Sequence, residues 1–348
     1  MESSFFSFLL VIASVVIFFS LNAALTAAVR WSALRTGYLD IPNERSLHQT
    51  PVPKSGGIAF VSSFLLLTFL FYLINWLPYQ QFLALFFGGF VIAAIGFWDD
   101  HKNLSARRRI VFHFVGAIWA ISWVGPLTSL SFGAFTLTSI GLLVLLTLVG
   151  LVWLLNLYNF MDGNDGLATS EGIFVASIAA ILLYLHGGTA LAALSLSLAI
   201  ALAGFLMWNW APAKIFMGDT GSCFLGYTFG VFMIISAAHG WIEPWTWLIL
   251  LGVFITDTTV TLFRRMRRGY RFYQSHCNHA YHHAARRFAS HKKLTYGVIW
   301  VNVLWLLPMA LLSDYWPEWG FYITLIAYIP LFVLAFYFRA GLQDGDPE

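Results

Sequence analysis

Charged side chains are scarce in this sequence. Asp, Glu, Lys and Arg together make up 10% of its 348 residues, against roughly 25% in a soluble domain. A chain so poor in charge cannot cover a globule, which excludes water as its only solvent. Cysteine is nearly absent. Cys223 and Cys277 are too few for a disulfide framework and too far apart for a CxxC pair. No Lys or Arg precedes Arg30, so the first apolar run lacks the basic n-region of a cleaved signal peptide and is read as a span that stays. Apolar residues fill the space: 59% hydrophobic and 18% aromatic, with a mean hydropathy of +0.75. That composition also excludes disorder.

The apolar residues fall into eleven segments, at about 5–29, 57–77, 81–98, 110–124, 138–158, 167–186, 189–209, 222–238, 245–263, 295–313 and 320–338. Most approach the ~20 residues a helix needs to cross a bilayer. The expected fold is an all-α polytopic membrane protein of about 11 transmembrane helices, one domain over 1–348. With the N-terminus outside, all 19 Lys and Arg fall in the inside loops 30–56, 99–109, 210–221 and 264–294 or at Arg339. The positive-inside rule selects that orientation and a cytoplasmic C-terminus. Trp76, Trp241, Trp245, Trp316 and Trp319 then sit at outer span ends. Basic clusters that abut spans argue for a membrane surface and against nucleic acid. The outside connections leave no room for a folded domain, so chemistry belongs to the inside loops 30–56, 99–109, 159–166, 210–221 and 264–294.

Acids in an apolar chain are costly and usually functional. Asp99 and Asp100 end the third span, Asp162 and Asp165 follow the fifth, and Asp219 lies between the seventh and eighth. Any one of them alone reads as a solvated loop end. Five at one membrane level suit a hard cation, Mg²⁺ or Mn²⁺, better than zinc. Asn156, Asn159 and Asp162 share one helix face at i, i+3 and i+6. Gly163 and Gly166 allow a sharp turn beside them. In Phe216-Met-Gly-Asp219-Thr-Gly-Ser222, two glycines flank one Asp, and Thr220 or Ser222 is placed to cap the next helix. Such a helix start suits a phosphate, while a plain tight turn remains the alternative. Lys54, before Ser55-Gly56-Gly57, reads equally as an anion seat or as a solvated inside charge. Asp257 lies within the ninth span. Arg264 and Arg265 are expected to anchor that span's end. Beyond them, a helix would put His276, His279 and His283 on one face and turn His282 away. That face suits a phosphate or sugar, and zinc with Cys277 fits it less well.

These residues resemble the bacterial polyprenyl-phosphate N-acetylhexosamine-1-phosphate transferases. The matching stretches are Pro53-Lys54-Ser55-Gly56-Gly57, Asp99-Asp100, Asn156-x-x-Asn159-x-x-Asp162-Gly-x-Asp165-Gly-Leu167, Phe216-Met-Gly-Asp219-Thr-Gly-Ser222, and Arg264-Arg265 followed by His276-x-x-His279-Ala-Tyr-x-His283. The last motif is nearest to the O-antigen-initiating branch. Asn103 stands where the family's Asp-Asp-x-x-Asp motif has its third acid. The resemblance implies transfer of an N-acetylhexosamine 1-phosphate from a UDP-sugar to undecaprenyl phosphate, releasing UMP, in the bacterial inner membrane. It implies Mg²⁺ on Asp219 and catalytic roles for Asp99, Asp100 and Asp219, with Asp99 acting on the lipid phosphate. Asn159, Asp162 and Asp165 would bind nucleotide, with Lys54, His276, His279 and His283 as further substrate contacts. The sugar, whether GlcNAc, FucNAc, QuiNAc or GalNAc, stays open, as does the oligomeric state, a homodimer included. The rival class is a secondary transporter, whose coupling acids belong near the midplane; here the acids gather at span ends.

Overall fold

The computed structural model describes residues 2–42, 50–102, 104–270 and 277–343. Helices dominate it. In chain order they are α1 (Glu2–Thr36), α2 (Ile58–Leu73), α3 (Tyr79–Lys102), α4 (Ala106–Val124), α5 (Ile140–Phe160), α6 (Leu167–Leu185), α7 (Thr189–Asn209), α8 (Gly218–Ala238), α9 (Pro244–Leu250), α10 (Gly252–Arg267), α11 (Ala280–Phe288), α12 (His291–Tyr315) and α13 (Pro317–Tyr337). Eight of these are long and apolar enough to cross a membrane, or nine if α9 and α10 count as one span bent by 79°. The expected count of eleven is reached only by adding α2, which has 16 residues, and α4, whose first turn carries Arg107, Arg108 and Arg109.

The centre of the bundle is α8. Of its apolar window, 89% is buried, against 11% for α1 at the periphery. It packs against α3 and α5. The contact with α3 uses a wider, π-type turn at Leu83–Gly88. Such a turn frees backbone carbonyls. Here Tyr227 of α8 donates to the Ala84 carbonyl at 2.8 Å and Trp119 of α4 to the Leu83 carbonyl at 2.9 Å, so neither is left unsatisfied in an apolar setting.

Two short strands shape one end of the bundle. Strands β1 (Leu39–Asp40) and β2 (Val52–Pro53) pair antiparallel, with Asp40 opposite Val52. Paired this way, Val52 and Pro53 bring the chain that follows them back against the helices. Gly56 and Gly57 then donate to the carbonyls of Phe216 and Met217 at 2.8 and 2.9 Å. Gly57 is required for this closeness: a Cβ there would stand 2.5 Å from the Gly221 Cα. Two of the sequence motifs are thus knitted backbone to backbone.

Candidate active site

Asp40, Lys54, Asp100, Asn159, Asp162, Gly163, Asn164, Asp165, Asn209, Phe216, Gly218, Asp219, His282 and His291 line a cavity of about 300 Å³ at this end of the bundle. Five distant stretches of sequence therefore meet at one place. Asp100, Asp162, Asp165 and Asp219 line this cavity together with Asp40, and Asp99, outside its lining, shares Arg109 with Asp219.

Asp99 and Asp100 are adjacent on α3 and diverge. Asp100 accepts the Ser55 hydroxyl at 2.7 Å, the Thr220 hydroxyl at 2.9 Å and the Asp219 backbone N–H at 2.9 Å. It therefore caps α8 from another helix. The expectation that Thr220 or Ser222 caps α8 is corrected: Thr220 donates to Asp100, and Ser222 donates to the Gly218 carbonyl at 3.1 Å. Gly218, at φ +74°, leaves room for this, since a Cβ would lie 2.6 Å from the Asp100 carboxylate. Ser55 adopts φ +59°, a left-handed conformation that non-glycine residues enter only when surroundings hold them. The hydroxyl bond to Asp100 is one such hold.

Asp99 is 6% exposed. It takes the Leu104 N–H and, at 3.0 Å, the Arg109 guanidinium. The same Arg109 nitrogen reaches Asp219 at 3.2 Å. The other Asp219 oxygen accepts from Asn159 at 2.8 Å. Arg109 was hidden in the sequence among Arg107 and Arg108, where it counted as one more inside charge. Its one signal was its place one turn into the helix after Asp99.

The loop after α5 is held from outside itself. Asp165 accepts the Ala213 N–H at 3.0 Å. Asn164 donates to Thr295 at 3.0 Å, and Thr295 donates to the Asp165 carbonyl at 3.1 Å. Burial pushes the Asp162 carboxyl well above the ordinary carboxylate range, and the charges of Asp219, Asp100 and Asp165 push the same way. Across the cavity Lys54 pairs with Asp40 at 2.8 Å.

The histidine face is corrected as well. His276 lies outside the described residues. His279 is not helical: it precedes α11 with φ −66° and ψ 153°. The cause is Asp257, whose carboxylate accepts the Ala280 and Tyr281 N–H groups at 2.8 and 2.9 Å and approaches His279 Nδ1 at 3.3 Å. A helix that starts at Ala280 cannot carry His279 and His283 together on one face. Its register turns His282 into the cavity, stacked on Tyr281 with ring centres 4.0 Å apart. His283 points to the C-terminal segment, where Nε2 lies 3.1 Å from the Leu342 carbonyl.

Among the described residues, no three His, Cys, Asp or Glu side chains stand close enough together to hold a metal ion. The donors around the cavity are nevertheless all-oxygen at Asp100, Asp162, Asp165 and Asp219. That chemistry fits a hard divalent ion, which usually keeps water and substrate phosphate among its ligands. Next to the polar cavity lies an apolar one of about 290 Å³ between α10, α11, α12 and α13. Met161 and Tyr281 line it.

Comparison with known proteins gives a consistent result. The Glycosyl transferase family 4 model matches residues 82–237. A decaprenyl-phosphate N-acetylglucosaminephosphotransferase of Mycolicibacterium smegmatis is 31% identical over 314 residues, 80% of this chain and 76% of that one. A probable undecaprenyl-phosphate N-acetylglucosaminyl 1-phosphate transferase of Bacillus subtilis is 30% identical over 257 residues, 70% of this chain and 68% of its own. An undecaprenyl-phosphate alpha-N-acetylglucosaminyl 1-phosphate transferase of Escherichia coli K12 is 28% identical over 320 residues, covering 88% and 83%.

Proposed function

The chain belongs to the polyprenyl-phosphate N-acetylhexosamine-1-phosphate transferases, and we propose that it moves N-acetylglucosamine 1-phosphate from UDP-N-acetylglucosamine to undecaprenyl phosphate at the cytoplasmic face of the bacterial inner membrane. The observation that carries this reading is an acid-lined cavity beside an apolar one, with Tyr281 of the apolar lining stacked on His282 of the polar lining. A water-soluble sugar nucleotide and a lipid phosphate need that pairing. The transporter reading loses its ground, because the acids lie at helix ends and in loops and the relatives are transferases.

A phosphate oxygen of the lipid attacks the phosphorus that bears the sugar. The bond from that phosphorus to the bridging oxygen breaks, and UMP leaves with the electron pair. Phosphoryl transfer of this kind is mostly positioning and charge neutralisation. Asp219 would hold the Mg²⁺ or Mn²⁺, which supplies neutralisation of the diphosphate when bound. Asp100 fixes the start of α8, so Asp219 and the backbone around it stay in register. Asp99 acts through Arg109, a positioning role rather than contact with lipid phosphate. Asn159 orients Asp219. Asp162, Asp165, Lys54 and His282 face the nucleotide, and the apolar cavity takes the first isoprene units. The basic inside loops support the cytoplasmic placement. The lipid-linked product would start an O-antigen or a related cell-wall glycan.

The test is a panel of UDP-GlcNAc, UDP-GalNAc, UDP-FucNAc and UDP-QuiNAc with undecaprenyl phosphate and purified protein. Release of UMP together with a lipid-linked sugar diphosphate is expected for UDP-GlcNAc. UMP release independent of the lipid, or none with any sugar, refutes the reading.

A further inference from the structure

His291 belongs to none of the sequence motifs, yet it lines the polar cavity. It opens α12 directly after Ser290, whose hydroxyl accepts the Lys293 N–H at 3.3 Å. Its ring is fixed by one edge: the Asp165 backbone N–H donates to Nδ1 at 3.4 Å, and an Asp165 carboxylate oxygen lies 3.3 Å from the same nitrogen. The other Asp165 oxygen is held by Ala213. An imidazole that accepts a hydrogen bond at Nδ1 carries its proton on Nε2, which is then the ring's donor.

The charge balance of the cavity gives this ring a task. Five aspartates line it, and Lys54 is already paired with Asp40. Among the described lining residues, His282 and His291 are the side chains with a ring N–H to offer. A sugar nucleotide presents acceptor oxygens on its base, phosphates and sugar, and the acid-rich wall offers few donors to meet them. We propose that His291 contacts the donor substrate: Asp165 anchors the ring at Nδ1, and Nε2 donates to an acceptor oxygen of the uridine nucleotide. The inference rests on the transferase reading.

Asn, Gln and Ala at position 291 separate contact from scaffolding. Asn carries its amide near the place of Nδ1 and Gln near that of Nε2. Binding of uridine, UMP, UDP and UDP-N-acetylglucosamine is measured by calorimetry on purified full-length protein, with thermal unfolding alongside. His291→Ala should weaken UDP-N-acetylglucosamine binding by about tenfold to a hundredfold, the size of a charge-assisted hydrogen bond. His291→Gln should recover most of the loss, and His291→Asn should not. The smallest ligand on which the loss appears assigns the oxygen to the base and ribose, the phosphates or the sugar. Recovery by Asn but not Gln would reduce His291 to a brace for Asp165 and overturn the proposal. If His291→Ala does not fold, the Gln and Asn comparison decides alone. Unchanged affinity in all variants overturns the inference while leaving the transferase reading intact. A wild-type protein that binds none of the four ligands removes both.

Discussion

Replacing Arg109 by Ala would remove the cation that lies between two aspartates of different motifs. One guanidinium nitrogen stands 3.0 Å from Asp99 and 3.2 Å from Asp219. Removing one partner of a fully buried pair costs about 3–5 kcal/mol, because a charge stays behind without compensation. A fully exposed pair is worth about 0–1 kcal/mol. The Arg109 side chain is 30% exposed, Asp219 26% and Asp99 7%, so screening discounts the first figure to about 1–3 kcal/mol of unfolding free energy. Turnover should fall at least about tenfold, since Asp219 loses the contact that orients it. Arg109→Lys keeps the charge but not the rigid planar guanidinium that holds one nitrogen between the two carboxylates, and should recover only part. The decisive assay is a double-mutant cycle with Asp99→Asn, read by unfolding in mixed detergent and by UMP release. If the bridge is real, Asp99→Asn relieves part of the cost of Arg109→Ala, and the two changes couple by about 0.5–3 kcal/mol. Losses that simply add, within about 0.3–0.5 kcal/mol, would refute the bridge.

Three further outcomes rest on the same geometry. Asp219→Asn should insert and purify normally but lose about a hundredfold or more in turnover, as for removal of a group that stabilises developing charge; near-normal activity across a Mg²⁺ titration would make Asp219 a structural residue only. His282→Ala, which removes a cavity-lining ring, should cost about tenfold or more, whereas His283→Ala, on the side of the C-terminal segment, should change activity only a few-fold; the reverse order would sink the observed register of α11. Single cysteines at 187 and 315 should react with an impermeant thiol reagent in intact cells and one at 290 should not; labelling at 290 from outside would invert the topology and move the active site to the other face.

Asp162, Asp165 and Asp219 were legible because each sits in a short motif with its own glycines, and an apolar chain gives a carboxylate no other reason to be there; Asp40, in an ordinary loop after the first span, was not. The division of labour among the acids was not legible either. Asp99 and Asp100 are neighbours in sequence, but on a helix adjacent side chains point about 100° apart. Which of them meets the cavity depends on where α8 begins, over a hundred residues later. The histidines were misplaced for a related reason. Helical periodicity says which residues share a face only once the first helical residue is known, and here Asp257 fixes that residue from 23 positions upstream of Ala280. Arg109 and His291 were invisible because each looks ordinary locally: one basic residue among three, and one histidine before two lysines. Their roles come from partners 110 and 126 residues away. The spans were the easiest to read, apart from α2 and α4, where length and charge depart from what a bilayer crossing needs.

The two cavities meet at a wall, and the wall explains how one small site serves substrates of opposite polarity. Tyr281 lines the apolar side. Its hydroxyl crosses to donate to the Phe160 carbonyl at 3.1 Å, next to the loop that carries Asp162. Its ring stacks on His282, which faces the polar side. Gly163 has to be a glycine for this wall to close, because a Cβ there would collide with the Tyr281 hydroxyl. Burial raises the phenol well above its usual range, with Asp257 and Asp162 adding to the effect, so it stays neutral and serves as a donor. A neutral aromatic wall costs nothing in charge repulsion beside five aspartates, and it offers an apolar face to an isoprene chain. This explains why α11 is tethered at its first turn by Asp257: a shift of that turn would move Tyr281 and His282 together, and with them both halves of the site.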